Sequence, residues 1–205
     1  MATVIFAHSQ KIIDKKVEVD GQKVEMKLSF ADDIIVEAWN NNYIELHVTV
    51  DINDNSYNDY YSLNVDESKG KIKIIEEVDF DGIKKEKGTK NLCNFNTDLN
   101  YTLKVPKNLK FDLETISGEI ELISCLGEMT INSISGFIDY SIPQSHKAYI
   151  DLSTVTGDVY SNVKFDKKLP KKISWVGTNH ELSLNGGDVD VELKTVSGDI
   201  YLRGK

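Results

Sequence analysis

A short motif recurs in the C-terminal half of this 205-residue chain and limits the folds that the chain can adopt. The copies read TISGEIEL, STVTGDVY and KTVSGDIY, and each places a glycine between a hydroxyl residue and an alternating segment. The corner glycines of the motif and of a related turn are Gly118, Gly136, Gly157 and Gly198. The steps between them are 18, 21 and 41 residues, so a degenerate fourth corner is predicted near Gly177. Units of about 20 residues are too small to bury an apolar face alone and are typical of stacked repeat proteins.

The segments that follow these glycines alternate between apolar and polar residues, as in Ile120 and Leu122 or Ile200 and Leu202. A period of two indicates β-strands, because a helix would require a period near 3.6. Glycine suits a corner because it adopts crowded or left-handed backbone conformations without a Cβ penalty. Stacking the repeats predicts a column of hydroxyl residues beside the corner, at Thr115, Ser133, Thr154 and Thr195. It also predicts an aliphatic ladder lining a narrow interior, at Ile116, Ile134, Val155 and Val196.

These patterns predict an all-β, single-domain β-solenoid, similar to a parallel β-helix, with rungs of about 20 residues and less regular N-terminal strands. Residues 11–205 form the domain in this interpretation, and residues 79–100, rich in Lys, Asp and Asn without a clear period, form an inserted loop. Residues 1–10 are a leader-like or disordered segment, since Val4–Phe6 is apolar and small residues follow it. A complete export signal would need a longer apolar run and a basic region before it.

Charge and hydropathy exclude some partners. The formal charge of −9 opposes binding to a nucleic-acid backbone, and the lysines around Lys84 alternate with acids. No stretch is long and apolar enough for a membrane-spanning helix, so we expect no membrane span.

Two cysteines, Cys93 and Cys125, lack the spacing of a zinc or thiol redox motif. We therefore expect no cofactor.

One aromatic stretch, Ser56–Tyr61, is a candidate binding feature because tyrosines beside Asn and Asp can stack on sugar rings and form hydrogen bonds. Its candidate binding residues are Tyr57, Tyr60 and Tyr61. The alternative, which we favour, is that Tyr61 simply faces the core of an early strand.

Acids beside the corners are candidates for a calcium site, since stacked carboxylates could share a cation. The candidates are Asp158, Asp188, Asp190 and Asp199. Phe137 interrupts the column, and on a sequential stack the rungs of Asp158 and Asp199 are not neighbours. Solvated corner acids are the favoured interpretation, and no metal site is predicted.

Catalytic residues are not predicted. The histidines at positions 8, 47, 146 and 180 lie in unrelated contexts without metal-ligand spacing or a nucleophile elbow. Paired carboxylates on adjacent rungs could act as acid and base, so a polysaccharide-active enzyme, a glycosidase or lyase on a β-helix scaffold, is the alternative function.

The lead-in Leu103–Pro106 and the repeated Thr-x-Ser/Thr-Gly-Asp/Glu corners resemble the "putative adhesin" family of bacterial β-solenoid domains, over residues 101–205 and, less closely, over 31–65. The sequence departs from that pattern at Phe137 and at Val176–Thr178. The resemblance implies a non-enzymatic, extracytoplasmic adhesin-like module whose partner is a protein or a glycan at the cell surface.

The last clear repeat, Val191–Leu202, is followed by only three residues. As the terminal rung of a solenoid it would expose strand edges, which repeat proteins cap or charge. We expect protection by Lys194, Arg203 and Lys205, by the N-terminal segment, or by self-association through this rung.

Overall fold

The computed structural model of the protein describes residues 9–68, 70–88, 95–168 and 177–205. Residues 1–8, which hold most of the leader-like segment, and Cys93 lie outside these ranges. The described chain is all-β and forms one domain, in which the inward side chains of two sheets share one apolar core. None of the helices in these ranges has the length and apolarity that crossing a bilayer requires.

The N-terminal half contains six strands and one α-helix, α1. The strands are β1 (Lys11–Glu18), β2 (Lys23–Lys27), β3 (Asp33–Trp39), β4 (Tyr43–Ile52), β5 (Tyr61–Ser68) and β6 (Lys71–Val78). Helix α1 spans Phe80–Lys87, and the Asp79 side chain accepts a hydrogen bond from the Gly82 backbone N–H at its start. The prediction of an inserted loop over 79–100 is therefore wrong at this helix and at Thr97–Asn100, which begin the next strand. The short apolar stripe of α1 was obscured by its four lysine and glutamate residues.

The remaining strands carry the repeats. They are β7 (Thr97–Pro106), β8 (Phe111–Ser117), β9 (Glu119–Ile123), β10 (Met129–Ser135), β11 (Ile138–Ile142), β12 (Ala148–Thr156), β13 (Val159–Ser161), β14 (Lys167–Lys168), β15 (Thr178–Leu184), β16 (Val189–Ser197) and β17 (Ile200–Gly204). The eight-stranded sheet has the order β1-β4-β7-β3-β9-β11-β17-β13. The nine-stranded sheet has the order β14-β15-β12-β16-β10-β8-β2-β6-β5.

The repeats stack in parallel, but their spatial order differs from their sequence order. Strand β16 lies between β10 and β12, and β17 lies between β11 and β13. The regular solenoid with sequential rungs is therefore not what the structure shows. After Gly177 the chain forms β15, which runs antiparallel to β12 instead of adding the predicted fourth parallel corner. The next repeat begins with β16, which pairs with β10 on one side and with β12 on the other.

This order also corrects the prediction for the last repeat. Strands β16 and β17 are interior strands, so they expose no terminal edge. Lys194 forms an ion pair with Glu192, and Arg203 pairs with Asp139. The Lys205 backbone N–H donates to the Ile142 carbonyl. The sequence-based explanation failed because it assumed that the last repeat is the last rung.

The corner glycines stack in one column in the order Gly118, Gly136, Gly198, Gly157. A Cβ atom on each of the last three would overlap the carbonyl oxygen of the glycine before it, and one on Gly118 would approach the Ala31 carbonyl. Gly118, Gly136 and Gly198 also have φ values of 146°, 108° and 147°, which L side chains rarely adopt. The column of glycines thus lets adjacent corners approach each other.

The predicted hydroxyl column exists and is buried. Ser133 is the register partner of both Thr115 and Thr195, and Thr195 is the partner of Thr154. Their hydroxyl groups donate to corner carbonyls, for example Ser133 Oγ to Ser135 O at 2.8 Å and Thr154 Oγ1 to Gly198 O at 2.9 Å. These bonds satisfy carbonyl groups where the ladder is interrupted.

The prediction of an interior aliphatic ladder is wrong. The side chains of Ile116, Ile134, Val155 and Val196 are 42–53% exposed. Each follows a buried hydroxyl residue, and consecutive strand residues point to opposite faces of a sheet. The hydroxyl column and the aliphatic ladder could not both face inward.

At the N-terminal end, lysines of β1 cover the edge of β5 in the other sheet. Lys11 Nζ donates to the carbonyl groups of Asn58 and Tyr61, and Lys15 Nζ donates to that of Leu63. Unpaired edge groups invite pairing with other chains, and lysine is a common way to block them. This end of the domain is therefore closed by its own side chains.

A buried polar network connects the two sheets near α1. The Glu76 carboxylate accepts hydrogen bonds from the Phe30 N–H and from the Tyr101 hydroxyl, whose oxygen lies 2.6 Å from that of Tyr61. Glu76 is 5% exposed, and burial raises the pKa of its carboxyl group above the usual value.

Candidate binding surface

The outward face of the eight-stranded sheet carries a group of aromatic and charged side chains near the corners of β11, β17 and β13. We call it the aromatic-acid surface, and its members are Phe137, Asp139, Asp158, Tyr160, Asp199, Tyr201 and Arg203. The corner glycines place Asp158 and Asp199 directly before β13 and β17, and Tyr160 and Tyr201 follow two residues later, on the same face. The surface exists because β17 lies between β11 and β13.

The aromatic residues form a row across the strands. Tyr160 and Tyr201 are register partners, and their rings stack with centroids 5.2 Å apart and planes 14° apart. Phe137 meets the other side of Tyr201 edge-on at 6.0 Å. Tyr160 is 49% exposed, so the row presents ring edges and hydroxyl groups to solvent.

Two carboxylates hold the tyrosines in place. Tyr201 Oη donates to Asp199 Oδ2 at 3.1 Å, and Tyr160 Oη lies 3.4 Å from Asp158 Oδ2. Asp199 Oδ1 also accepts the Asp158 backbone N–H at 2.9 Å. The hydrogen bond to Asp199 raises the pKa of Tyr201, and the charges of Asp158 and Asp199 raise the pKa of Tyr160. Both phenol groups therefore stay protonated and can donate.

Arg203 occupies the second outward position of β17, after Tyr201. Its Nε lies 2.6 Å from Asp139 Oδ2, and its guanidinium lies 5.2 Å from the centre of the Tyr201 ring. The Asp139 side chain is 16% exposed, and its Oδ1 has no hydrogen-bond partner among the described residues. The pairing with Asp139 fixes the guanidinium over the tyrosine ring, an arrangement that favours attraction between cation and ring.

The face is acidic. Among the described residues, the outward positions of β3, β9, β11, β17 and β13 and of their corners hold one base, Arg203. They hold seven acids: Asp33, Glu37, Glu119, Glu121, Asp139, Asp158 and Asp199. On the nine-stranded sheet, by contrast, lysines pair with acids, as Lys23 does with Asp112 and Lys71 with Glu25. This part of the eight-stranded sheet thus differs in charge from the outer face of the nine-stranded sheet.

The four calcium candidates lie in two places. Asp158 and Asp199 lie at neighbouring corners, directly before β13 and β17, which corrects the expectation that their rungs are apart. Asp188 and Asp190 lie on the other sheet, at the start of β16. The described residues contain no group of three or more His, Cys, Asp or Glu side chains placed to hold a metal ion.

The three candidate tyrosines do not form one surface. Tyr61 is 2% exposed and belongs to the Glu76 network, which is the core position favoured above. Tyr57 packs against Tyr60 and Phe95, with ring centroids 6.1 Å apart in both cases. Tyr60 donates to Glu86 of α1. Tyr57 and Tyr60 therefore lie together beside α1 and apart from Tyr61, and a binding role for this pair stays a prediction.

The described histidines lie apart from one another. The Nδ1 atom of His47, on β4, lies 2.7 Å from Asp14 Oδ1. His146 lies in the turn before β12 and is mostly buried, and this burial lowers its pKa. His180 is on β15, and His8 is outside the described ranges. Cys125 is buried, and burial raises the pKa of its thiol to about 12.

Sequence reasoning missed Tyr160 and Tyr201. A signal was present, because STVTGDVY and KTVSGDIY both end in tyrosine three residues after the glycine. The shared tyrosine did not predict a contact, because a sequential stack of the repeats places these two strands apart.

Comparisons with known proteins identify the family. Residues 96–203, just over half of the chain, match the family described as Toastrack DUF4097. No curated protein matches the chain. A solved structure of "a putative cell adhesion protein" from Clostridium sporogenes is 12% identical, with a TM-score of 0.55 over 96% of this chain and 100% of that one, which shows a shared fold. "A putative adhesin" from Parabacteroides merdae is 10% identical, with a TM-score of 0.27 over 94% and 96% of the two chains.

The resemblance to adhesin-like domains inferred from the repeated corners is confirmed by these matches. The family match begins one residue before β7 and contains all four corner glycines and the whole aromatic-acid surface. The chain belongs to the Toastrack DUF4097 family.

Proposed function

We propose that the protein is a non-catalytic, adhesin-like interaction module that works outside the cytoplasm and binds a basic protein surface through its aromatic-acid surface. The observation that carries the proposal is the stacked pair Tyr160–Tyr201 within an acidic sheet face. Tyrosine and arginine are enriched at the energetic centres of protein interfaces, and here they lie among carboxylates. The extracytoplasmic location rests on the family resemblance and on the name of the similar structure from Clostridium sporogenes.

Rigidity supports this role. The three rings belong to the neighbouring parallel strands β11, β17 and β13 and their corners, which stack through a column of glycines. Asp199 bonds both to Tyr201 and to the backbone N–H of Asp158 on the next corner. A preordered surface loses little conformational entropy when it binds. The acidic face would speed encounter with a basic partner and make binding sensitive to salt.

We also propose that residues 111–204 are a β-solenoid in which the order of the rungs in space differs from their order in the sequence.

The alternative is a polysaccharide-active enzyme. Glu121 and Asp139 are register partners on the same face and could serve as a carboxylate pair. Glu121 is exposed, however, and catalytic carboxylates normally work in a concave site that excludes water. The binding role therefore explains the face better.

A lysine-rich peptide on a biosensor surface tests the proposal. We expect the protein to bind it, with affinity falling as salt rises, and to lose affinity in Asp199→Asn and in Tyr201→Ala. Glu192→Gln on the nine-stranded sheet is the matched control and should bind as the parent does. Absence of binding, or equal losses in the control, would contradict the proposal. Binding on a glycan array instead would identify a saccharide partner, and release of reducing sugars from polysaccharides would identify the enzyme.

A further inference from the structure

The edge strand β13 carries backbone groups that its own sheet does not use. In a parallel ladder, alternate residues direct both their N–H and their C=O to the neighbouring strand. Asp158 O accepts the Ile200 N–H at 3.0 Å, and the Asn162 N–H donates to Leu202 O at 3.3 Å. The intervening residues Val159 and Ser161 therefore direct their backbone groups away from β17. Among the described residues, no strand pairs with that side of β13.

We propose that β13 pairs antiparallel with β13 of a second copy of the chain, about a two-fold axis at Tyr160. In this register Val159 of each copy lies opposite Ser161 of the other. Each such pair exchanges both N–H···O bonds, so the dimer gains four backbone hydrogen bonds. A two-fold interface must be complementary to itself, and this register satisfies that condition.

The side chains on the outward face fit the same register. Tyr160 faces its own copy as a non-hydrogen-bonded pair, in which side chains come closest. Its ring is stacked on Tyr201 on one side, so the second Tyr160 ring covers the other side and continues the row. Asp158 lies opposite Asn162, so the pairing brings no two carboxylates directly together.

The strand edges at the two ends of the domain differ, and this difference favours β13 as the edge that pairs with a second copy. Lysines of β1 donate to the edge carbonyls of β5 at the N-terminal end. Strand β13 has only three residues, and among the described residues neither Lys164 nor Arg203 bonds to Val159 or Ser161. So short an edge buries little area, and we expect a weak dimer that forms only at high concentration.

Sedimentation velocity of the protein alone, from about 10 µM to about 1 mM, tests the proposal. The sedimentation coefficient should rise with concentration. Tyr160→Lys and Tyr160→Glu place like charges opposite each other in the dimer, so each should raise the dissociation constant at least about tenfold. An equimolar mixture of the two should restore association, because the mixed pair places opposite charges together.

Two further variants separate this edge from general surface effects. Ser161→Pro removes an N–H that the domain's own sheet does not use, so it should abolish association and leave the circular dichroism spectrum unchanged. Tyr149→Lys is the matched control, since Tyr149 is 47% exposed on the other sheet, and it should associate as the parent does. A parent protein that stays monomeric up to about 1 mM, or a mixture that fails to associate, would overturn the proposal. No ligand is present, so the result is independent of the function proposed above.

Discussion

A Cβ atom on Gly157 would overlap the carbonyl oxygen of Gly198 on the neighbouring corner. The φ of Gly157 is not in the left-handed region, so this close approach is what requires glycine there. Gly157→Ala should therefore lower the free energy of unfolding by about 1 to 3 kcal/mol, through displacement of the two corners. Urea denaturation measures the change.

Gly204→Ala is the control for this prediction. Gly204 also lies in the repeat region, but a Cβ atom there would meet its nearest neighbour at 3.6 Å, an ordinary contact. We expect a change within about 0.5 kcal/mol. Equal effects at the two positions would show that the corners do not require glycine for their approach.

The Glu76 network predicts a dependence of stability on pH. Because the folded-state pKa is raised, the favourable contribution of protonated Glu76 is complete below the unfolded pKa near 4.5 and is lost as pH rises through the folded pKa. Glu76→Gln keeps the hydrogen-bonding shape without the charge. Its melting temperature should exceed that of the parent by an amount that grows from pH 4 towards neutral pH.

Ile74→Val, on the same strand, is the control and removes one buried methylene group. It should lower stability by about 0.5 to 1.5 kcal/mol at every pH. A Glu76→Gln difference that is equally flat with pH would contradict the raised pKa.

Much of the repeat region was predictable, because the same pattern of a glycine corner followed by an alternating strand occurs four times. The corner glycines, the strands after them and the hydroxyl column all follow from local alternation and turn chemistry. The order of the strands was not predictable, since it depends on β15 turning antiparallel to β12 and on β16 entering beside β10. The Tyr160–Tyr201 pair, formed by strands that are 41 residues apart in sequence, was lost with that order. Helix α1 was missed because its eight residues carry few apolar side chains.

The hydroxyl column should stabilise the corners. Thr115 is 5% exposed, and its Oγ1 donates to Ser117 O at 2.8 Å. Thr115→Val keeps the volume and removes the donor, so we expect a loss of about 0.5 to 1.5 kcal/mol in urea denaturation. Thr130→Val, on the outward face of β10, should change stability by less than about 0.5 kcal/mol. Similar small effects for both would mean that the hydroxyl column contributes nothing.

The corrected position of the aliphatic ladder also has a measurable consequence. Ile134 is 53% exposed, whereas Ile131, three residues earlier on β10, is fully buried. Thermal or urea unfolding should show a loss of about 2 to 5 kcal/mol for Ile131→Ala. Ile134→Ala should stay within about 0.5 kcal/mol. A large loss at Ile134 would place the ladder in the core after all.

The exchanged strand order creates the aromatic-acid surface and places β13 at the edge of its sheet. Disulfide trapping measures this strand order most directly. Ser153 and Lys194 are register partners on neighbouring strands, so their Cα atoms lie about 4.8 Å apart, within the range that a disulfide spans. Asn132 and Ser153 are both partners of Lys194, on opposite sides, and are separated by about 9 to 10 Å. In a background with Cys93→Ser and Cys125→Ala, mild oxidation should cross-link Ser153→Cys with Lys194→Cys and leave Asn132→Cys with Ser153→Cys reduced, as read by mass spectrometry of peptides. Cross-linking of the Asn132 and Ser153 positions, without that of Ser153 and Lys194, would show sequential rungs and contradict the account.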